Sequence, residues 1–215
     1  MSHSADLVLE QHSDYTGAKI GMWLFLFTEI LLFGGLFLLY AVYRAKFPED
    51  FHFSAGTLDT LMGTINTVIL LTSSLTMVLA VTCLERKNRQ QASLFLGATI
   101  GFGFIFMINK YFEWAAKFNQ GLYPNSEILE SHTAGEKIFY SLYYLMTGLH
   151  GLHIIIGVVI LLVVLFMVRK KTYSQEKDEE VNLEHLAIKM ENSGLYWHMV
   201  DVVWIFLFPL FYLIT

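Results

Sequence analysis

The residues of this chain best equipped for chemistry sit inside stretches that are otherwise apolar. Glu29 is the single charged residue between Ile20 and Tyr43. Near the middle of a bilayer a carboxylate costs at least ~2.5 kcal/mol by insertion scales. Its chemical uses there are proton relay or contact with another subunit; the plainer reading is a carboxyl group hydrogen-bonded to a neighbouring helix. Gly148-Leu149-His150-Gly151-Leu152-His153 sets two histidines three residues apart, and His198-Met199-Val200-Asp201 repeats that spacing with a histidine and an aspartate. Residues three apart share a helix face. These four side chains are a conceivable metal set, and histidines also serve as axial haem ligands. The alternative is hydrogen bonding across helix interfaces, where small residues such as Gly148 and Gly151 permit close approach.

Other polar insertions are weaker signals. Asn66, Asn109, Lys110 and Glu113 interrupt apolar sequence, and Glu191, just before the last apolar stretch, joins them as an interhelical or structural polar residue. Lys110 and Glu113, three apart, suit an internal ion pair or snorkelling towards the interface. Gly97 and Gly101 form a G-x-x-x-G pair, which points to helix packing. Trp197 and Trp204, one heptad apart, mark one face. No phosphate-binding glycine loop, Ser/His/Asp grouping or nucleotide fingerprint accompanies them.

Five apolar stretches must position these residues, at roughly 20–43, 61–84, 92–112, 138–168 and 195–214. Each crosses a hydrocarbon core of about 30 Å at about 1.5 Å per residue. The fourth is long enough to tilt or project. Backbone polar groups have no partner in lipid, so the stretches are predicted to be helices; the alternating ten-residue segments of a membrane barrel are missing from the sequence. The expected fold is an all-α membrane protein, with residues 1–19 as a cytoplasmic segment and 20–215 as one five-helix domain. Between the spans, 44–60, 85–91, 117–137 and 169–193 read as connections.

Composition agrees: 55% of the 215 residues are hydrophobic and 15% charged, against about a quarter charged in soluble domains. A net charge of −5 gives no reason to expect a nucleic-acid partner. The lone cysteine, Cys83, excludes an intrachain disulfide. Asp6, Glu10 and Asp14 precede Lys19, the wrong charge for a cleavable leader. Lys19, Arg86, Lys87, Arg89, Arg169, Lys170, Lys171, Lys177 and Lys189 fall on one side of the expected topology, and Arg44, Lys46, Lys117 and Lys137 on the other. That asymmetry predicts a cytoplasmic N-terminus and an external C-terminus.

Several of these segments resemble one family in order. Tyr196-Trp197-His198-Met199-Val200-Asp201-Val202-Val203-Trp204 resembles the W-H-F-V-D-V-V-W signature of the last helix of cytochrome c oxidase subunit III. Residues 147–157 resemble the T-G-F-H-G-L-H-V-x-x-G of its penultimate helix, and 21–43 the helix with that family's buried, carbodiimide-reactive glutamate, here Glu29. Asn66-Thr67 with Leu70-Leu71, and Glu113-Trp114, are similar to the helices between. The resemblance runs from Lys19 onward. Many members have seven helices and lodge phospholipid in a cleft between the first two and the other five; this sequence matches the last five. Five-helix members include subunits of bacterial quinol oxidases and a nitric oxide reductase accessory protein.

The resemblance implies a non-catalytic subunit of a proton-pumping oxidase in a bacterial inner membrane. Haem and copper would reside in partner subunits I and II, with none bound by this chain. It would bind subunit I, support its proton uptake and oxygen access, contact phospholipid, and join any respiratory supercomplex. His150, His153, His198 and Asp201 would then be interhelical polar contacts.

Overall fold

The computed structural model describes the backbone of residues 2–170 and 176–213 and the side chains of residues 17, 19–170 and 185–213. Lys171 and the side chain of Lys177, which entered the loop-charge reading, lie outside these, as does the last residue of the fifth predicted span. No strand occurs among the described residues. The helices are α1 (Ser2–Lys46), α2 (Pro48–Gly56), α3 (Thr60–Glu85), α4 (Arg89–Asn119), α5 (Glu127–Glu130), α6 (Ala134–Arg169) and α7 (Glu176–Phe208), followed by a π-helical turn at Pro209–Leu213.

Five of these helices are long and apolar enough to cross a membrane: Lys19–Lys46, Thr60–Glu85, Arg89–Asn119, Ala134–Arg169 and His185–Leu213. They are longer than the apolar stretches themselves, because polar residues at their ends stay helical once capped or paired. Asp59 accepts a hydrogen bond from Met62 N at 3.0 Å, Asn88 from Gln91 N at 3.1 Å and Thr133 from Glu136 N at 3.3 Å. Each satisfies one of the orphan donors of a helix start. At the close of α4 the chain turns through Gly121, φ +71°. There Leu122 N bonds to Lys117 O at 3.1 Å and Gly121 N to Phe118 O at 3.0 Å, a Schellman ending that needs the left-handed backbone glycine adopts freely.

Three expectations of plain connection are corrected, the briefest by the four-residue helix α5 within 117–137. Residues 44–60 contain α2, which starts with proline at its first turn and buries Phe51, Ser54 and Ala55. Phe51 lies edge-on to Phe139 of α6 at 5.4 Å and to Tyr40 of α1 at 5.2 Å. Nine residues are too few to raise a hydropathy signal. The charged stretch before residue 194 is also helical from Glu176, and its Glu191 meets Lys19 of α1 at 3.1 Å.

The last helix is the hub: α7 packs on α1, α3 and α6. In its most apolar window 56% of residues are buried, against 11% in α1, which lies at the periphery. Trp197 and Trp204 mark one face, as their spacing predicted. Both are buried and donate to α3, Trp197 to Ser73 Oγ and Trp204 to Thr67 Oγ1, each at 3.0 Å. Gly103 of α4 and Gly157 of α6 make room for Trp197; a Cβ on either would lie 2.9 and 3.0 Å from its ring. Gly97 and Gly101 do not serve this packing, since none of the described residues of other helices lies within 4 Å of where their Cβ atoms would stand. Among the described residues, neither glycine makes the predicted G-x-x-x-G contact. Gly103→Ala should destabilise the purified protein by roughly 1–3 kcal/mol through overpacking. Gly97→Ala should be neutral or stabilising by up to about 1 kcal/mol, and thermal unfolding in one detergent compares the two.

Candidate functional site

Polar clusters interrupt the apolar interior of the described residues, and the four that hold predicted site residues each join different elements. The first pairs Glu29 of α1 with His153 of α6, Oε2 to Nε2 at 2.8 Å, with both side chains largely buried. The other ring nitrogen, Nδ1, lies 2.7 Å from the carbonyl oxygen of Leu149. A carbonyl only accepts, so Nδ1 must carry hydrogen and donate. One proton then remains for the contact between Nε2 and the carboxyl group. With it on Glu29 both groups are neutral; with it on His153 they are an ion pair. Either way the pair is neutral overall, which suits a non-polar medium, and a short displacement of one proton interconverts the states. Phe33 packs edge-on to the imidazole at 5.4 Å, and Tyr196 OH donates to His153 O at 3.0 Å, holding α7 to the same turn.

The second cluster surrounds Lys110 and Glu113 of α4, each only 5% exposed. Lys110 Nζ donates to Glu113 Oε2 at 3.0 Å, to Tyr212 OH at 2.6 Å and to Tyr143 OH at 3.3 Å. All three ammonium hydrogens have acceptors. Tyr143 OH donates to Glu113 Oε1 at 2.6 Å, and Tyr212 OH donates to the same oxygen. The ammonium group also stands 5.1 Å from the ring centre of Trp204. Of the two sequence readings for this pair, the internal ion pair is the one formed; Lys110 does not snorkel. Nearby, Lys117 Nζ donates to Thr57 O at 2.6 Å and fixes the end of α2 against α4. Tyr143, Tyr212 and Lys117 went unselected as site residues in the sequence. Aromatic and basic residues near helix ends ordinarily read as interfacial anchors.

The third cluster links α3 and α7, with Ser74 Oγ and His198 Nδ1 at 2.7 Å. Asp201, 3% exposed, lies beside Ser74 without hydrogen-bond geometry, and neither carboxyl oxygen has a partner among the described residues. The fourth is Asn109 Nδ2 donating to Asn66 Oδ1 at 3.0 Å between α4 and α3.

The two-histidine and histidine–aspartate motifs are thus drawn apart. His153 turns to α1 and His198 to α3. His150 is fully buried, stacked on Trp204 at 5.3 Å and edge-on to Phe106 at 5.6 Å, with neither ring nitrogen hydrogen-bonded among the described residues. Hydrogen bonding across helices accounts for His153, His198, Asn66, Glu113 and Glu191, whereas His150 and Asp201 are held by packing. No group of three His, Cys, Asp or Glu side chains converges among the described residues.

A buried ion pair resists loss of one partner more than loss of both. Lys110→Met or Glu113→Leu alone should each cost about 3–5 kcal/mol. The double variant should recover most of that loss, and a double-mutant cycle by thermal unfolding measures the difference.

Comparison with known proteins adds an independent line. The sequence matches the family Cytochrome c oxidase subunit III over residues 7–215. It is similar to a probable cytochrome c oxidase subunit 3 of Rickettsia bellii (strain RML369-C), 32% identical over 92% of this chain and 69% of that protein. It is also similar to cytochrome c oxidase subunit 3 of Thermostichus vulcanus, 30% identical over 95% of this chain and 90% of that protein. A protein of Aeropyrum pernix named heme-copper oxidase subunit I+III is 32% identical over 95% of this chain and 24% of its own length.

Proposed function

The chain belongs to the cytochrome c oxidase subunit III family, a multi-pass membrane subunit of a haem-copper oxidase, and from that premise we propose how it serves the complex. Its main partner is subunit I, with subunit II in the same assembly. Haem and copper reside in those partners, which carry out electron transfer to oxygen. The relative whose name joins subunits I and III in one chain supports subunit I as the neighbour. The membrane is a bacterial inner membrane, with the N-terminus cytoplasmic and phospholipid bound around the bundle. The excess of basic residues in alternate connections supports that orientation.

Within this assembly the chain stabilises subunit I and supports its proton uptake. The observation that carries this reading is the Glu29–His153 contact, which holds one exchangeable proton inside an apolar bundle at 2.8 Å. A structural hydrogen bond alone would be served as well by an amide. In Glu29→Gln the side-chain amide can still donate to Nε2, so assembly should survive, but the proton can no longer move between the partners.

Two measurements test the reading. Solubilised under mild conditions, the chain should co-purify with a haem-bearing polypeptide, and a preparation free of one would contradict the assignment to the complex. The purified Glu29→Gln complex should retain its initial rate of oxygen reduction yet lose activity in fewer turnovers than wild type. An unchanged turnover lifetime would remove Glu29 from proton supply and leave it a purely structural role.

A further inference from the structure

Along α7, Glu191, Leu195, His198, Val202 and Ile205 all remain partly or fully uncovered. Their spacings alternate four and three residues, the repeat with which one helix packs a continuous seam against another. A matching row runs along α3 through Thr64, Thr67, Leu71, Ser74 and Val78, also uncovered in part or whole. Three of those five carry small hydroxyl side chains, which let a neighbouring backbone approach closely in lipid. The hydrogen bond from Ser74 to His198 ties the two rows together at 2.7 Å. They form the sides of a groove between α3 and α7.

Most uncovered apolar surface on a membrane helix needs only lipid. This groove differs because of His198. Its Nδ1 is engaged by Ser74, its ring is only partly covered, and no partner for Nε2 exists among the described residues. Hydrocarbon supplies none either, and an unmet polar group there costs several kcal/mol. Asp201, one turn along α7, adds a buried carboxyl group whose oxygens are also without partners among the described residues. The outer face of α1 is a useful contrast. It is more uncovered, yet its mid-span polar groups are closed: Thr28 Oγ1 donates to Phe25 O at 2.7 Å, and Glu29 is paired with His153 at 2.8 Å. Lipid alone satisfies α1; it does not satisfy the groove.

We infer that the α3/α7 groove seats one transmembrane helix of the haem-bearing oxidase subunit, which presents a hydrogen-bonding side chain at the level of His198. This rests on the reading of the chain as a subunit of that complex. The seated helix is apolar along the seam, with one serine, threonine, asparagine, glutamine or acidic residue that completes the imidazole.

The test places a photoreactive benzoylphenylalanine at Leu71 or Val202 in the groove, and at Leu31 on α1 or Phe104 on α4, in the assembled complex. Irradiation should join the groove positions to the haem-bearing polypeptide and leave Leu31 and Phe104 joined only to lipid. Adducts from Leu31 or Phe104 to that polypeptide, with only lipid at the groove, would overturn the assignment while leaving the subunit reading intact. Failure of the wild-type chain to co-purify with any haem-bearing polypeptide would overturn both. Independently of the bulky probe, His198→Leu should lower retention of the chain through detergent purification by about tenfold, and His198→Gln should restore most of it. Retention of the leucine variant at the wild-type level would also defeat the proposal.

Discussion

Hydrocarbon offers no hydrogen-bond partner, so any polar side chain carried into the bilayer must find one on another helix or remain uncompensated. That constraint organises this protein. Helix α1 is fastened to α6 and α7 through Glu29, His153 and Lys19–Glu191, although it is the least buried of the five spans. Helix α4 is fastened to α6 and to the π-helical turn through Lys110, Glu113 and two tyrosines. Helix α3 receives the indole hydrogens of Trp197 and Trp204 from α7. Between helices already surrounded by lipid the apolar contacts bring no hydrophobic gain, and close packing with interhelical hydrogen bonds takes over.

The same economy explains the form of the clusters. An isolated charge in lipid is costly, and each buried charge here with a resolved partner has it at hydrogen-bond distance. Lys110 uses all three of its donors, and Glu113 accepts on both oxygens. The Glu29–His153 contact goes further by sharing a proton between a group that can be anionic and one that can be cationic. Such a pair keeps zero net charge while remaining able to move a proton over the width of one hydrogen bond. Asp201 and His150 are the exceptions, polar yet unbonded among the described residues.

Legibility in the sequence followed the range of the interaction. The five spans could be read because hydropathy is a property of contiguous residues, and the Lys110–Glu113 ion pair because its members lie one helical turn apart. Glu29 stood out as a lone intramembrane charge, but its partner lies 124 residues away and no local pattern points to it. Tyr143 and Tyr212 were hidden for the same reason, being 30 and 99 residues from the carboxylate they serve. The two-histidine spacing was real, but a shared helix face does not make a shared target. His150 and His153 diverge to Trp204 and Glu29. Helix α2 was too short for periodicity, and Gly103, rather than the G-x-x-x-G pair beside it, takes the tryptophan.

The central claim is that the intramembrane acid of α1 is satisfied inside this chain, by His153 of α6. A side-chain-resolution structure of the purified native complex tests it most directly. The account predicts Glu29 within hydrogen-bond distance of His153, and the haem and copper ligated wholly by other polypeptides. Glu29 turned away from His153 to a residue of a neighbouring subunit, or His150 or His198 bound to a metal, would contradict it.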